Sequence, residues 1–139
     1  MADTFHNFIG GAFHAPEGGD TFTRTNPADE SDVIGEFPDS DAGEVERAVA
    51  AAKNALHAWR KLSPDGRSQF LFRAADILER RKVEVAAALT REEGKSIAES
   101  TGETGRGVVL LRYYAGEGLR LGGDVIPSVN PNVLFFTER

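Results

Sequence analysis

Cysteine is absent from all 139 residues. That one absence removes disulfides, thiolate metal sites and a thiol nucleophile together. Long apolar runs are also missing: no window approaches the roughly 18 uninterrupted apolar residues of a membrane span, and residues 1–7 lack a basic stretch leading into an apolar one. The expectation is a soluble, cytoplasmic chain without a membrane partner. Positive charge is in deficit, with 16 Lys and Arg against 22 Asp and Glu, a net charge of −6 and a pI near 5.1. Phosphate neutralisation needs a basic face, so a nucleic-acid partner is not expected. Catalytic signatures are equally scarce. There is no G-x-S-x-G and no H-E-x-x-H, and histidine occurs only at positions 6, 14 and 57, all read as solvent-facing or capping residues.

What is present divides into three stretches of one ordinary domain's length. Residues 5–37 read as short strands, because aromatic and β-branched residues are broken at close intervals by Gly, Pro, Asn and Asp. Phe8-Ile9, Gly10-Gly11 and Ala12-Phe13 spell a two-residue hairpin, since adjacent glycines supply the positive φ of a type I′ turn. Residues 16–20 read as loop. Thr21–Thr25 and Val33–Phe37 form a second strand pair around the turn Asn26-Pro27-Ala28-Asp29-Glu30.

The middle is helical. Val45, Val49, Ala52, Leu56 and Trp59 recur at steps of three and four, which places them on one stripe. Asp41 and Glu44 resemble a capping box at its start, and Glu46, Lys53 and Arg60 read as its solvated face. Ser63-Pro64-Asp65 opens the next helix with an N-cap, a proline at N1 and an acid in the first turn. Phe70, Leu71, Ala74, Ile77 and Leu78 give that helix its apolar side, and it ends near Arg80-Arg81. A shorter piece with Val85, Ala86 and Leu89 stops at Gly94. A long helix then runs from Ser96, with Ile97, Thr104, Val108, Leu111 and Ala115 as its buried stripe. Gly102, Gly105 and Gly107 each cost it about 1 kcal/mol against alanine, and close approach to a neighbour is the expected reason.

Gly122-Gly123-Asp124, Val125-Ile126-Pro127 and Asn130-Pro131-Asn132 read as loop and turn. Val133-Leu134-Phe135-Phe136-Thr137 closes the chain as a strand that finds no later partner in it. Glu92, Glu93, Glu99, Glu103 and Glu117 could supply an acid or base, but Glu99, Glu103 and Arg106 read as a surface charge pattern along one helix face. The glycines at 102, 105 and 107 fall inside a helix instead of following a strand, so they do not form a nucleotide fingerprint. The residues themselves therefore give a soluble piece combining strands and helices, with no visible site.

Six stretches in order resemble the start of the aldehyde dehydrogenase superfamily: Asn7-Phe8-Ile9-Gly10-Gly11, Asn26-Pro27-Ala28, Ala48–Ala52 with Trp59-Arg60, Arg67 to Arg81 around Ala74-Ala75-Asp76-Ile77-Leu78, Glu92-Glu93-Gly94-Lys95, and Arg112-Tyr113-Tyr114-Ala115-Gly116. The similarity covers almost the whole chain. From Gly116 through Gly122-Gly123-Asp124 and Ile126-Pro127-Ser128 to Phe136-Thr137-Glu138-Arg139 it resembles most the branch that oxidises semialdehydes such as 2-oxoglutarate semialdehyde.

The resemblance implies an incomplete α/β fold: residues 1–40 as β-hairpins, 41–119 as helices packing on a cofactor domain that this chain lacks, and 120–139 as a loop and an oligomerisation-type strand without its partners. It implies NAD or NADP and a small aldehyde in the complete enzyme, and homo-oligomers formed through Val133–Thr137. Such enzymes add a cysteine thiolate to the carbonyl, pass hydride to nicotinamide and hydrolyse the thioester. The sole tryptophan here, Trp59, precedes Arg60 and not the Asn-Phe-Pro of the family's oxyanion motif. No catalytic, cofactor-binding or metal residue of the family therefore maps onto this chain, and it is expected to be inactive and cofactor-free alone. Some members hold a monovalent cation through a carbonyl near the position of Thr25 and an acid at that of Glu92. The other reading of the same residues is a non-catalytic interaction module, pairing its terminal strand with a full-length relative by β-augmentation. Its helix stripes await cover, and each uncovered Val, Leu, Ile or Phe forfeits about 1.5–3 kcal/mol of burial, so the isolated chain is expected to be marginal.

Overall fold

The computed structural model describes residues 3–15 and 18–138. The expected loop at 16–17 and the closing Arg139 lie outside them. Strand β1 (Asp3–Thr4) is followed by the hairpin β2 (Asn7–Ile9) and β3 (Ala12–His14), whose turn is Gly10-Gly11 at φ 62° and 90°. Two consecutive positive φ values are what a type I′ turn requires, and glycine supplies them without steric cost. β4 (Thr21–Asn26) and β5 (Asp29–Pro38) pair antiparallel, and β1 joins the other edge of β5 in parallel, giving the order β1-β5-β4. At Gly35 a Cβ would fall 2.5 Å from the Asp3 carbonyl oxygen, so the close crossing of β1 over β5 needs glycine there. Phe5 stacks on Phe37 with centroids 4.4 Å apart, and Phe22 follows at 6.0 Å.

Four helices come next: α1 (Ala42–Lys61), α2 (Pro64–Arg80), α3 (Lys82–Glu93) and α4 (Ile97–Glu117). Asp41 caps α1 by accepting from the Glu44 amide at 2.8 Å. The reciprocal half of a capping box is replaced, because the buried Glu44 carboxylate pairs with Arg47 at 3.7 Å. Ser63 caps α2 through the Gly66 amide, with Pro64 at the first position. α3 stops at Gly94, whose φ of 72° is left-handed, a conformation that costs glycine nothing. The full capping box belongs to α4: the Ser96 hydroxyl takes the Glu99 amide while the Glu99 carboxylate takes the Ser96 amide.

α4 packs on α2 and α3 around a core of small residues. The buried apolar side chains are Ala75, Ala86, Val108 and Ala115, joined by Ser68, Ser100 and Thr104. On α4 the predicted stripe is correct at Thr104, Val108, Leu111 and Ala115, but Ser100 takes the place of Ile97, which is exposed. On α2 the expected side is rotated. Ser68, Leu71, Phe72, Ala75 and Leu78 face inward, while Phe70, Ala74 and Ile77 face out. Apolar residues occupy both sides of α2, so periodicity alone could not separate the inner face from the outer one. Close packing explains two of the three α4 glycines: a Cβ on Gly107 would meet Leu78 at 3.3 Å and one on Gly105 the Lys82 ammonium at 3.0 Å. Gly102 has nothing within 4 Å of that position.

The chain closes with a hairpin of β6 (Val125–Ile126) and β7 (Phe135–Phe136). The expectation of a terminal strand without partners is thus corrected on one edge. Val125-Ile126, read as loop among glycines and prolines, is a two-residue strand paired antiparallel with Phe135-Phe136. The Thr137 amide donates to the Asp124 carbonyl at 3.0 Å, and the Asp124 amide to the Thr137 hydroxyl at 2.9 Å.

Candidate functional site

The buried hydroxyls and four of the five candidate carboxylates are committed to structural partners. Ser100 is fully buried and its hydroxyl accepts from Thr90 at 2.8 Å, while the Thr104 and Ser68 hydroxyls donate to the backbone carbonyls of Ser100 and Pro64. A nucleophilic hydroxyl needs a base within hydrogen-bond reach, and among the described residues these three meet a hydroxyl or backbone carbonyls instead. Among the described residues the His14 ring meets the Ile9 carbonyl, at 3.2 Å. Among the described residues no three His, Cys, Asp or Glu gather as metal ligands.

Of the five candidate carboxylates, Glu93 and Glu103 are brought together on one cation. Glu93 and Glu103 both bind the Lys95 ammonium, Glu93 at 2.5 Å, and Glu117 pairs with Arg120. Glu99 serves the cap of α4, and its hydrogen bonds from Ser96 hold its carboxyl below the usual carboxylate range. An acid held ionised in this way is a poor proton donor near neutrality. Lys95 is pushed up by hydrogen bonds to Glu103 and then Glu93, so it stays an ammonium and not a nucleophilic amine. This Lys95 cluster spans the α3–α4 junction. Sequence reasoning found only its Glu residues, because the meeting of positions 93, 95 and 103 depends on the angle at which α4 leaves Ser96.

Beside the cluster runs an open groove of about 810 Å³, lined by Lys95, Glu99, Gly102, Glu103, Arg106, Val109 and Leu110. A cofactor pyrophosphate does not fit the start of α4. The N-terminus of α4 already carries the Glu99 carboxylate, and Glu103 follows one turn later. The anion-accepting amides of a helix start are therefore blocked by like charge. The α4 glycines sit within the helix and not in a strand-to-helix turn.

The other conspicuous surfaces are apolar. Along α1, Val45, Val49, Leu56 and Trp59 remain exposed, Val49 at 47% and Trp59 at 41%. Trp59 touches Phe70 of α2, with ring centroids 5.5 Å apart. Ala52, Ala55, Leu56, Ala58, Trp59 and Leu62 line a shallow apolar trough. The terminal hairpin exposes Val125, Ile126, Phe135 and Phe136 together. Exposed apolar surface on this scale marks an interaction surface.

Small helical core, capped glycine junctions and an aromatic hairpin sheet define a mixed α/β piece whose relatives are clear. The aldehyde dehydrogenase family model matches residues 13–139, and the chain belongs to that family. It is 50% identical over 137 residues to the alpha-ketoglutaric semialdehyde dehydrogenase of Bacillus subtilis, covering 99% of this chain and 28% of that protein. It is 32% identical over 139 residues to the alpha-ketoglutarate semialdehyde dehydrogenase of Haloferax volcanii, covering 100% of this chain and 29% of the relative. The crystal structure of an NAD-dependent aldehyde dehydrogenase from Sinorhizobium meliloti superposes with a TM-score of 0.89 at 31% identity, over 96% of this chain and 27% of that one. The chain thus spans a little over a quarter of the length of these relatives.

Proposed function

We propose that these residues form the N-terminal part of an NAD(P)-dependent dehydrogenase oxidising an oxo-acid semialdehyde to the corresponding dicarboxylate. The observation that carries this reading is the 50% identity, sustained over nearly every residue, to a relative named for alpha-ketoglutaric semialdehyde. Nicotinamide chemistry, when the cofactor is bound, removes hydride from the carbon under oxidation. This chain contributes positioning. It has no cysteine, Glu93, Glu103 and Glu117 are engaged by cations and Glu99 by the α4 cap, and the buried hydroxyls of Ser68, Ser100 and Thr104 are hydrogen-bonded within the fold. Catalytic, cofactor-binding and metal residues are assigned to the part of the enzyme outside these residues.

In this reading residues 1–40 are surface hairpins and 41–119 a helical layer whose α1 face seats on the cofactor domain. Residues 120–139 are a strand segment through which copies associate at Val133–Thr137. The uncovered trough along α1 and the exposed aromatic hairpin support that division, because both present apolar area that water penalises. The test is turnover of 2-oxoglutarate semialdehyde with NAD or NADP, followed by nicotinamide absorbance, for the full-length enzyme containing these residues and for the purified 139-residue chain. Activity in the first and none in the second is expected. Turnover by the short chain would overturn the assignment.

A further inference from the structure

The outer edge of the first sheet is unfinished. β4 stands at the end of the order β1-β5-β4, and among the described residues no backbone bond reaches its outer side. The ladder decides which groups that side offers. The Asp39 amide donates to the Asp20 carbonyl at 3.0 Å, and bonding alternates from one residue to the next along an antiparallel pair. Phe22 and Arg24 therefore bond to Phe37 and Gly35, while Thr21 and Thr23 direct their N–H and C=O groups outward. The same alternation turns Glu36 toward β1, where its carbonyl accepts from the Phe5 amide at 2.9 Å. α3 meets this hairpin at its turn, with Gly94 against Ala28, and Thr21–Thr25 is exposed. Sheet edges are commonly blunted by lysine, proline or an inward charge. Thr21-Phe22-Thr23 has none of these.

One face of this edge carries an ordered set of side chains. Phe5, Phe37 and Phe22 lie in a row across β1, β5 and β4, with centroids 4.4 Å and 6.0 Å apart, and the row stops at Phe22, which is 40% exposed. Two residues before Phe22, on the same face, Asp20 stands opposite Asp39. Like charges facing each other across a ladder are destabilising, and among the described residues neither carboxylate has a cation. Two residues after Phe22, Arg24 lies over the Phe22 ring, 5.3 Å from its centroid, and no described carboxylate pairs with it.

We propose that a second copy of this chain pairs along β4, antiparallel about a twofold axis at Phe22. In that register Thr21 of each copy faces Thr23 of the other, and their outward N–H and C=O groups exchange hydrogen bonds. Phe22 meets its twin, so the aromatic row continues through both sheets. Arg24 meets Asp20 of the other copy, which brings the missing cation to the Asp20–Asp39 pair at both ends. Sliding the strands by two residues in either direction sets Arg24 opposite Phe22 or Gly18, and no acid answers the guanidinium. The charges thus select one register. This surface is separate from Val133–Thr137, and it does not depend on the reaction that the complete enzyme performs.

The experiment uses the full-length enzyme containing these residues. Residues directly opposite in a non-hydrogen-bonded pair have Cα atoms about 4.5 Å apart, within disulfide reach. Phe22→Cys under mild oxidation should therefore give a reducible dimer well above the unsubstituted enzyme, and Thr25→Cys, at the irregular end of the ladder, should not. Arg24→Asp sets acid against acid and Asp20→Arg cation against cation. Each should raise the dissociation constant of the association, followed by sedimentation velocity, about tenfold or more. The double variant Asp20→Arg, Arg24→Asp exchanges the charges and should return toward wild type, which neither a folding defect nor a role within one copy would produce. No cross-linked dimer above the unsubstituted enzyme, or a double variant as weak as the single ones, would overturn the pairing and leave the dehydrogenase reading intact.

Discussion

Arg91 grips Asp32 through two hydrogen bonds, Nε to Oδ2 at 2.8 Å and Nη2 to Oδ1 at 2.6 Å, and the same Nη2 donates to the Val33 carbonyl at 3.0 Å. One guanidinium thereby joins α3 to β5. A fork of this geometry fixes an angle as well as a distance, so the sheet is set against the helical layer at a defined tilt.

That bond has a pH signature. Hydrogen bonding to Arg91 holds the Asp32 carboxyl below its ordinary 3.8. A lowered native value means that its contribution to stability is complete above the unfolded value and is lost as pH falls through the native one. Asp32→Asn should therefore melt below wild type at neutral pH, with the two curves converging only as pH falls through the native value, which lies beneath 3.8. Melting temperatures against pH decide it, and a gap that widened on acidification would contradict the assignment.

The cap of α4 is tested by Ser96→Ala. Loss of an N-cap hydroxyl costs about 0.5–2 kcal/mol. The substitution should also return the Glu99 carboxyl toward its ordinary range, since hydrogen bonds from Ser96 are the leading causes of its depression. Carboxyl chemical shifts followed through an acid titration give the second readout.

Gly123 controls the terminal hairpin. A Cβ there would fall 1.4 Å from the Thr137 carbonyl oxygen, so Gly123→Ala must separate the two ends of the pair. Amide exchange at Thr137, whose N–H is bonded to Asp124, should accelerate sharply. The helical layer, which shares no core with the hairpin, should keep its protection. Unchanged exchange at Thr137 would show that the pairing does not depend on this approach.

Leu56 separates the isolated chain from the assembled enzyme. It is 49% exposed, so Leu56→Asn in the 139-residue chain should fall within about 0.5 kcal/mol of wild type, as surface changes do. In the full-length enzyme, where the proposed cover buries it, the same change should cost about 2–4 kcal/mol. Denaturant midpoints of the two forms provide the comparison.

Local chemistry was the legible part of this molecule. Gly10-Gly11, Ser63-Pro64 and Gly94 each state a backbone requirement that neighbours in sequence suffice to fix, and the structure has a turn, a start and a stop at those places. The Ser96–Glu99 capping box is just as local and could have been read from its S-x-x-E spacing. What could not be read is which apolar residues are covered. Phe70 and Ile77 look like core because they recur at helical spacing, yet they face outward; periodicity reports that a face is apolar and not what lies against it. Val125-Ile126 was lost for a different reason: two residues are too few for a pattern, and only pairing with Phe135-Phe136 makes them a strand. The groove beside α4 is lined by that helix and by Lys95 just before it, so Glu99, Glu103 and Arg106 were legible as one face, whereas the reach of Lys95 to both Glu93 and Glu103 was not.

The core of the helical layer is built on alanine. Ala75, Ala86 and Ala115 sit at or near complete burial where α2 and α3 approach α4, so the spacing of the axes is set by methyl groups. Nothing larger fits without prising the rods apart, and a displaced rod would carry Arg106, Lys95 and the Trp59–Phe70 ridge along with it. Enlarging a single buried methyl would thus be felt as a change of shape on surfaces many residues away.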